Sequence, residues 1–272
     1  MLKKSFIYTI LFSVSVCCFF GCDKKYSISK NSKIKKYSRS APRMRLTGVR
    51  NASGITYNHD TNTLFLIQDS PSLIKEMNDK GEILREILIE KVNDTEGIAY
   101  LGNKRFAIIE ESTSKIYFCS IDKKTTDIRL KDMVSLEVPS KASNTGLEGI
   151  TYDPEIKCFY VVKEKNPKKI FRVYLGTDKI EEPWDLEDLK IQDVSDICFD
   201  PQTGNLYILS HESKCIVECT TSGKELGRIY LKKGQSNLKR DIDKPEGITI
   251  DKTGKIYVCG ENDEFYIFSE KQ

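Results

Sequence analysis

The sequence predicts an all-β protein: a five-bladed β-propeller of four-stranded blades, with the last blade closed by an N-terminal strand. Three observations carry this expectation. A strand-turn-strand pattern occurs five times, and its spacing suits a propeller blade. The last copy stops one strand short, while an unassigned strand precedes the first copy.

The chain of 272 residues opens on the positive segment Met1-Leu2-Lys3-Lys4, followed by an apolar run from Ser5 to Phe20. That run is shorter than the ~20 residues a spanning helix needs, so a secretory signal is expected over 1–21. It ends in Phe19-Phe20-Gly21-Cys22, the pattern of a bacterial lipobox with Phe19 where an aliphatic residue is usual. Cleavage there would make Cys22 the lipid-modified first residue of an exported, membrane-anchored lipoprotein, in the periplasm or outer cell envelope. A signal cut elsewhere or an uncleaved anchor is the alternative. Residues 22–43 are polar and lysine-rich without hydrophobic period, and are expected as a flexible basic tether. The tether either adheres to anionic headgroups or is a solvated spacer. The propeller is assigned to 44–272.

The five first strands are Ser53-Gly54-Ile55-Thr56-Tyr57, Glu96-Gly97-Ile98-Ala99-Tyr100, Glu148-Gly149-Ile150-Thr151-Tyr152, Ser195-Asp196-Ile197-Cys198-Phe199 and Glu246-Gly247-Ile248-Thr249-Ile250. Their second strands are Leu64–Ile67, Phe106–Ile109, Phe159–Val162, Leu206–Leu209 and Ile256–Cys259, reached through turns such as Asp200-Pro201-Gln202-Thr203-Gly204. Steps between equivalent glycine positions are 43, 52, 47 and 51 residues, slightly above the ~40–45 of four-stranded blades. Repeat one continues with Leu73–Met77 and Ile83–Ile89, and repeat four with Cys215–Cys219 and Leu226–Leu231. Repeat five ends at Phe265–Phe268, and Arg45–Val49 is the candidate for its missing fourth strand. Closing the ring in this way removes two exposed edges. Six blades, the alternative, would need a sixth copy of the motif, and the sequence holds five.

Composition narrows the function. Of 43 basic and 40 acidic side chains, residues 1–50 hold twelve bases and one acid, Asp23. Residues 51–272 therefore carry 31 bases against 39 acids, which argues against a nucleic-acid partner. Six of the nine cysteines fall within the propeller, without a C-x-x-C pair. They read as buried thiols, with a cross-blade disulfide left open.

The motifs Glu-Gly-Ile-Ala-Tyr at 96–100, Arg105-Phe106-Ala107-Ile108, Phe159-Tyr160-Val161-Val162-Lys163-Glu164 and Leu209-Ser210-His211-Glu212-Ser213 resemble the SdiA-regulated (YjiK-like) family. Its members are exported bacterial proteins distantly similar to NHL-repeat propellers. The resemblance spans about residues 44–269. It implies a five-bladed propeller with a calcium site, export or membrane attachment, and no established biochemical activity.

Geometry makes its own prediction. First strands line the central channel and second strands return beside them, so first-strand starts and second-strand ends share one mouth. The starts are Ser53, Glu96, Glu148, Ser195 and Glu246. The ends are Asp69, Glu111, Glu164, His211 and Glu261, with Asp196 replacing a motif glycine nearby. Crowded carboxylates need a counter-ion, and an all-oxygen donor set suits Ca2+. Glu96, Glu148 and Glu246 are expected to bind it directly, with Glu261 and Glu111 supplementary or acting through water. Otherwise these side chains cap backbone amides of neighbouring blades or face open water.

Two functions follow. One is a recognition module for a small molecule or protein at the channel mouth, and the sequence leans towards it. The other is a calcium-dependent hydrolase of lactones, esters or phosphoesters, with His211 as the candidate proton carrier. His59 falls in an exposed turn. No G-x-S-x-G, H-E-x-x-H or phosphate-cradling glycine loop is present. The segment 178–193 with Trp184 is either a contact insertion or filler between blades three and four.

Overall fold

In the computed structural model, residues 32–271 are described except 93, 130–133, 139–145 and 178. Each repeat folds into an antiparallel sheet, and the five sheets form a five-bladed β-propeller. Blade one consists of Ala52–Asn58, Thr63–Gln68, Leu73–Met77 and Ile83–Glu90, and blade two of Thr95–Gly102, Arg105–Glu110, Lys115–Ser120 and Val134–Glu137. Blade three is Leu147–Asp153, Cys158–Lys163, Lys169–Tyr174 and Ile180–Glu181. Blade four is Asp196–Asp200, Asn205–Ser210, Cys215–Thr220 and Glu225–Tyr230. The excursion Asp127–Arg129 from blade two adds a parallel strand on the outer edge of blade one, against Leu88–Glu90.

The core lies between blades. Sheets with both faces covered need apolar residues on both, and five clusters fill the five gaps. Phe65, Ile67, Ile98 and Phe106 pack between blades one and two. Leu186 and Leu189 from the 178–193 segment, and Val194 just after it, complete the gap between blades three and four. Trp184 packs against the same cluster and donates its Nε1–H to the Thr221 carbonyl at 3.2 Å, so its role there is packing. The six propeller cysteines are free thiols, five of them buried.

Blade five, Pro245–Ile250, Ile256–Gly260 and Glu264–Glu270, is closed by the N-terminal segment. The closing strand differs from the expected Arg45–Val49. Tyr37–Arg39 pairs with Phe268–Glu270 and Met44–Arg45 with Glu264–Phe265. Pro42 lies between the two pieces, where a residue without an N–H cannot continue a ladder. Beyond Arg45 the chain turns at Gly48 (φ +79°), and Leu46 and Val49 enter the core between blades five and one.

The propeller also begins earlier than the expected residue 44. Residues 1–31, on which the expected signal, Cys22 and the first part of the expected tether fall, lie outside the described residues. Residues 32–43, assigned to the tether from sequence, belong to the propeller. Ile34 and Tyr37 are buried, and the Tyr37 hydroxyl donates to the Gly254 carbonyl at 2.6 Å. The fully buried Glu218 carboxylate accepts from Ser32 Oγ (2.9 Å), Lys33 N (2.8 Å), Ile34 N (3.0 Å) and Asn205 Nδ2 (2.9 Å). From residue 32 on, the chain holds 38 bases and 39 acids, so this part is close to charge balance rather than strongly acidic.

The motif glycines pinch the channel. A Cβ on Gly54 would stand 2.7 Å from the Glu96 carbonyl oxygen, and one on Gly149 2.7 Å from Asp196 Cα and 2.8 Å from Ile197 N. Neither neighbour is a flexible side-chain end. Gly149→Ala is therefore expected to cost about 1–3 kcal/mol through forced separation of blades three and four, read as a lowered urea midpoint. A wild-type midpoint would show that the blades can part freely.

Candidate functional site

First-strand starts and second-strand ends meet at one mouth of the channel. Ser53, Glu96, Glu148, Ser195 and Glu246, with Asp69, Glu111, Glu164, His211 and Glu261, line a cavity of about 400 Å³. Asn51 and Asp193, which the sequence reading missed, line it too. Asp196 does not. It stands in the glycine layer, buried, with its two oxygens accepting from Ile197 N (2.8 Å) and Ile248 N (2.7 Å), so it ties blade four to blade five.

The carboxylates divide by partner. Asp69 accepts from the Asp94 amide at 3.0 Å and Glu111 from the Gly146 amide at 2.7 Å, so each braces the next blade. Glu261 is paired with Lys244. Glu246 accepts from His211 Nδ1 at 3.1 Å. Lys165 lies between Glu164 (2.7 Å) and Glu212 (3.1 Å), beside the buried Asp193, whose oxygens accept the Glu212 amide. Among the described residues no basic side chain forms an ion pair with Glu96, Glu148, Asp94 or Glu111.

Two groups of three carboxylates bring one oxygen from each member within 4.8 Å of the others: Asp94-Glu96-Glu111 and Glu164-Asp193-Glu212. Among the described residues no lysine pairs with the first, whereas Lys165 bridges Glu164 and Glu212 of the second. The expected direct ligands Glu96, Glu148 and Glu246 do not together form either group. Glu96 and Glu111 come together with Asp94, while Glu246 is hydrogen-bonded to His211 and Glu261 is ion-paired with Lys244 elsewhere on the ring. Glu148 stands close enough that Glu96 and Glu111 both act on it. The missed Asp94 and Asp193 occupy one repeat position, two residues before the first-strand start. Asn51, Gly146 and Lys244 hold it in the other blades, so extending the repeat alignment by two residues would have found both acids.

Burial, reinforced by Glu111, Asp94 and Asp69, pushes Glu96 up from 4.5 to about 8. Burial and the charges of Glu96, Glu111, Glu164 and Glu246 push Glu148 up to about 10. His211 is raised by its bond to Glu246, against the opposing effect of burial. Between 4.5 and these values the unfolded chain has released protons that the folded chain keeps, so metal-free stability falls as pH rises. The raised His211 acts in the same direction, its contribution vanishing as pH climbs through its folded value. The melting temperature in chelator is expected to decline steadily from about pH 5 to about pH 9. A flat profile would mean that these carboxylates ionise freely.

A sequence profile of the SdiA-regulated family matches residues 29–269. The chain belongs to the SdiA-regulated family. The profile begins before the first described strand, in keeping with the packed N-terminal segment. Among solved structures, this SdiA-regulated propeller is similar to a chain of a nidogen/laminin complex, with 13% identity, TM-score 0.53, and coverage of 78% of this chain and 72% of that one. It is also similar to glutaminyl cyclase from Myxococcus xanthus, with 10% identity, TM-score 0.58, and coverage of 86% and 95%. At such identities the likeness shows the fold alone.

Proposed function

We propose that this SdiA-regulated protein is an exported, lipid-anchored β-propeller that binds Ca2+ at its acidic mouth and acts as a recognition module at the cell envelope. The observation that carries the calcium reading is the Asp94-Glu96-Glu111 group, three carboxylates within 4.8 Å that have no paired base among the described residues. The donor set fits a hard cation: all oxygen, with Glu148 beside it and Ser53 bonded to Glu96. Asp94, Glu96 and Glu111 would hold the ion, with Glu148 adding charge. A bound Ca2+ would supply fixed positive charge that can hold an anionic group of a ligand. Anchoring rests on Cys22, ten residues before Ser32, so the propeller would stay within roughly 35 Å of the lipid surface.

Calcium titration by calorimetry and thermal melting tests the reading. Saturable binding and a melting temperature that rises with Ca2+, most strongly at alkaline pH, are expected. No rise at any pH would remove calcium from the proposal. Loss of lipid labelling in Cys22→Ser would support the anchor, and labelling of that variant would refute it.

A calcium-dependent hydrolase is the second reading, favoured by one observation. His211 and Glu246, 3.1 Å apart in the same cavity, can hold and pass a proton. Turnover of lactones, aryl esters or phosphoesters that is lost in His211→Ala would support it. Inactivity on that panel alongside specific capture of a ligand would support recognition.

A further inference from the structure

The opposite mouth of the channel has another chemistry. The glycine waist separates it from the carboxylates and leaves a blind cup of about 520 Å³. We propose that this cup binds a small, flat, largely apolar organic molecule of the aromatic or fused-ring class.

Its floor is built from one repeat position, Thr56, Ala99, Thr151, Cys198 and Thr249. The threonine hydroxyls are engaged with the next blade. Thr56 accepts from Tyr100 N (3.1 Å), Thr151 from Phe199 N (2.9 Å) and Thr249 from Tyr57 N (3.0 Å). Each hydroxyl spends a lone pair on the neighbouring blade and keeps its O–H, so this floor of small side chains gives a ligand room and only a few single donors. A saccharide, which needs polar partners along its length, is poorly served by such a floor.

The wall comes from the following position, Tyr57, Tyr100, Tyr152, Phe199 and Ile250. Its rings are fixed in advance. Tyr100 packs on Phe106 with centroids 4.8 Å apart, and Tyr152 on Phe159 at 5.0 Å. The Tyr57 hydroxyl donates to Asn62 at 2.9 Å, and that of Tyr100 to Asp60. A preorganised aromatic wall loses little entropy when a flat molecule stacks against it. The rim is polar, with His59, Asp60, Gln202 and Lys252 placed to meet one or two substituents at the open end. An apolar interior of this volume with a few polar groups at one end is the usual form of a small-molecule site.

The test uses the purified propeller with 2-naphthol and indole as probes, followed by saturation-transfer NMR and tyrosine fluorescence. 1-Adamantanol and glucose are the aliphatic and saccharide comparators. Saturable binding of the flat probes is expected, weakened about tenfold by Tyr152→Ala. Tyr152→Leu, which keeps apolar volume against Phe159, guards against misfolding and should also weaken binding. Tighter binding of either comparator would overturn the assigned class. Wild-type affinity in the leucine variant would do the same for stacking. A change in probe affinity in Glu111→Gln, at the other mouth, would show that the probe binds there.

Discussion

Glu218→Ala is expected to destabilise the propeller by about 3–5 kcal/mol, because four hydrogen bonds to a charged acceptor are lost, each worth ~1.5–3 kcal/mol, while the cost of burying that charge is relieved. The carboxylate is fully buried and accepts four hydrogen bonds, three of them from Ser32, Lys33 and Ile34. Without it, the first amides of the N-terminal segment and the Asn205 side chain lose their acceptor inside protein. The segment then keeps the packing of Ile34 and Tyr37, its short strand pairings and the ion pair of Arg43 with the buried Glu264 (2.6 Å) to hold it against blade five. A fall in melting temperature on the order of 10 °C follows from that range. Limited trypsin digestion should show new early cuts at Lys35, Lys36 and Arg39. Ser32→Ala removes one bond and should cost only about 1 kcal/mol. Wild-type protease resistance in Glu218→Ala would mean that strand pairing alone closes the ring.

The sequence made the repeating part of this architecture legible and left its seam obscure, for a physical reason. Five copies of one motif, four with glycine at the channel waist and one with Asp196, report the same packing problem solved five times, so they align. The closing segment solves a problem that occurs once. Its strand pairings are three and two residues long with Pro42 between them, too short to show a period. Its principal anchor, Glu218, lies more than 180 residues away in blade four. That seam also brings seven basic side chains between residues 32 and 50 into the folded unit, which is why a charge balance drawn at residue 50 misjudged the propeller.

The candidate site follows the same pattern. Residues on repeat positions reach the mouth as the strand geometry predicts, because register places them there whatever their chemistry. What register could not predict is which carboxylates are already partnered. Lys244 answers Glu261 from the position that Asp94 fills in blade two, so a single repeat position supplies a base in one blade and an extra acid in another. Asp69 and Glu111 partly fulfil the alternative role of capping neighbouring amides. Asp196 fails to reach the cavity because it took the place of a glycine at the waist, where its oxygens found backbone N–H groups instead.

That division of partners decides the second large effect. Glu96→Gln is expected to abolish the calcium-dependent rise in melting temperature, whereas Glu261→Gln, whose carboxylate is held by Lys244, should leave most of it. The amide keeps the shape of a protonated carboxyl and removes one of three charges from the proposed shell, lowering Ca2+ affinity by at least about tenfold. Without metal the sign reverses. Glu96 keeps its proton up to about 8, so at lower pH the glutamine resembles the group it replaces and stability should barely change. Above that value the parent must carry a charge in an enclosed, acidic setting and the variant need not, so Glu96→Gln should melt higher than the parent in chelator at about pH 9. The two measurements together separate a site built for a cation from carboxylates that merely crowd. A variant that gained metal-free stability at high pH and still responded fully to calcium would place the ion elsewhere on the ring.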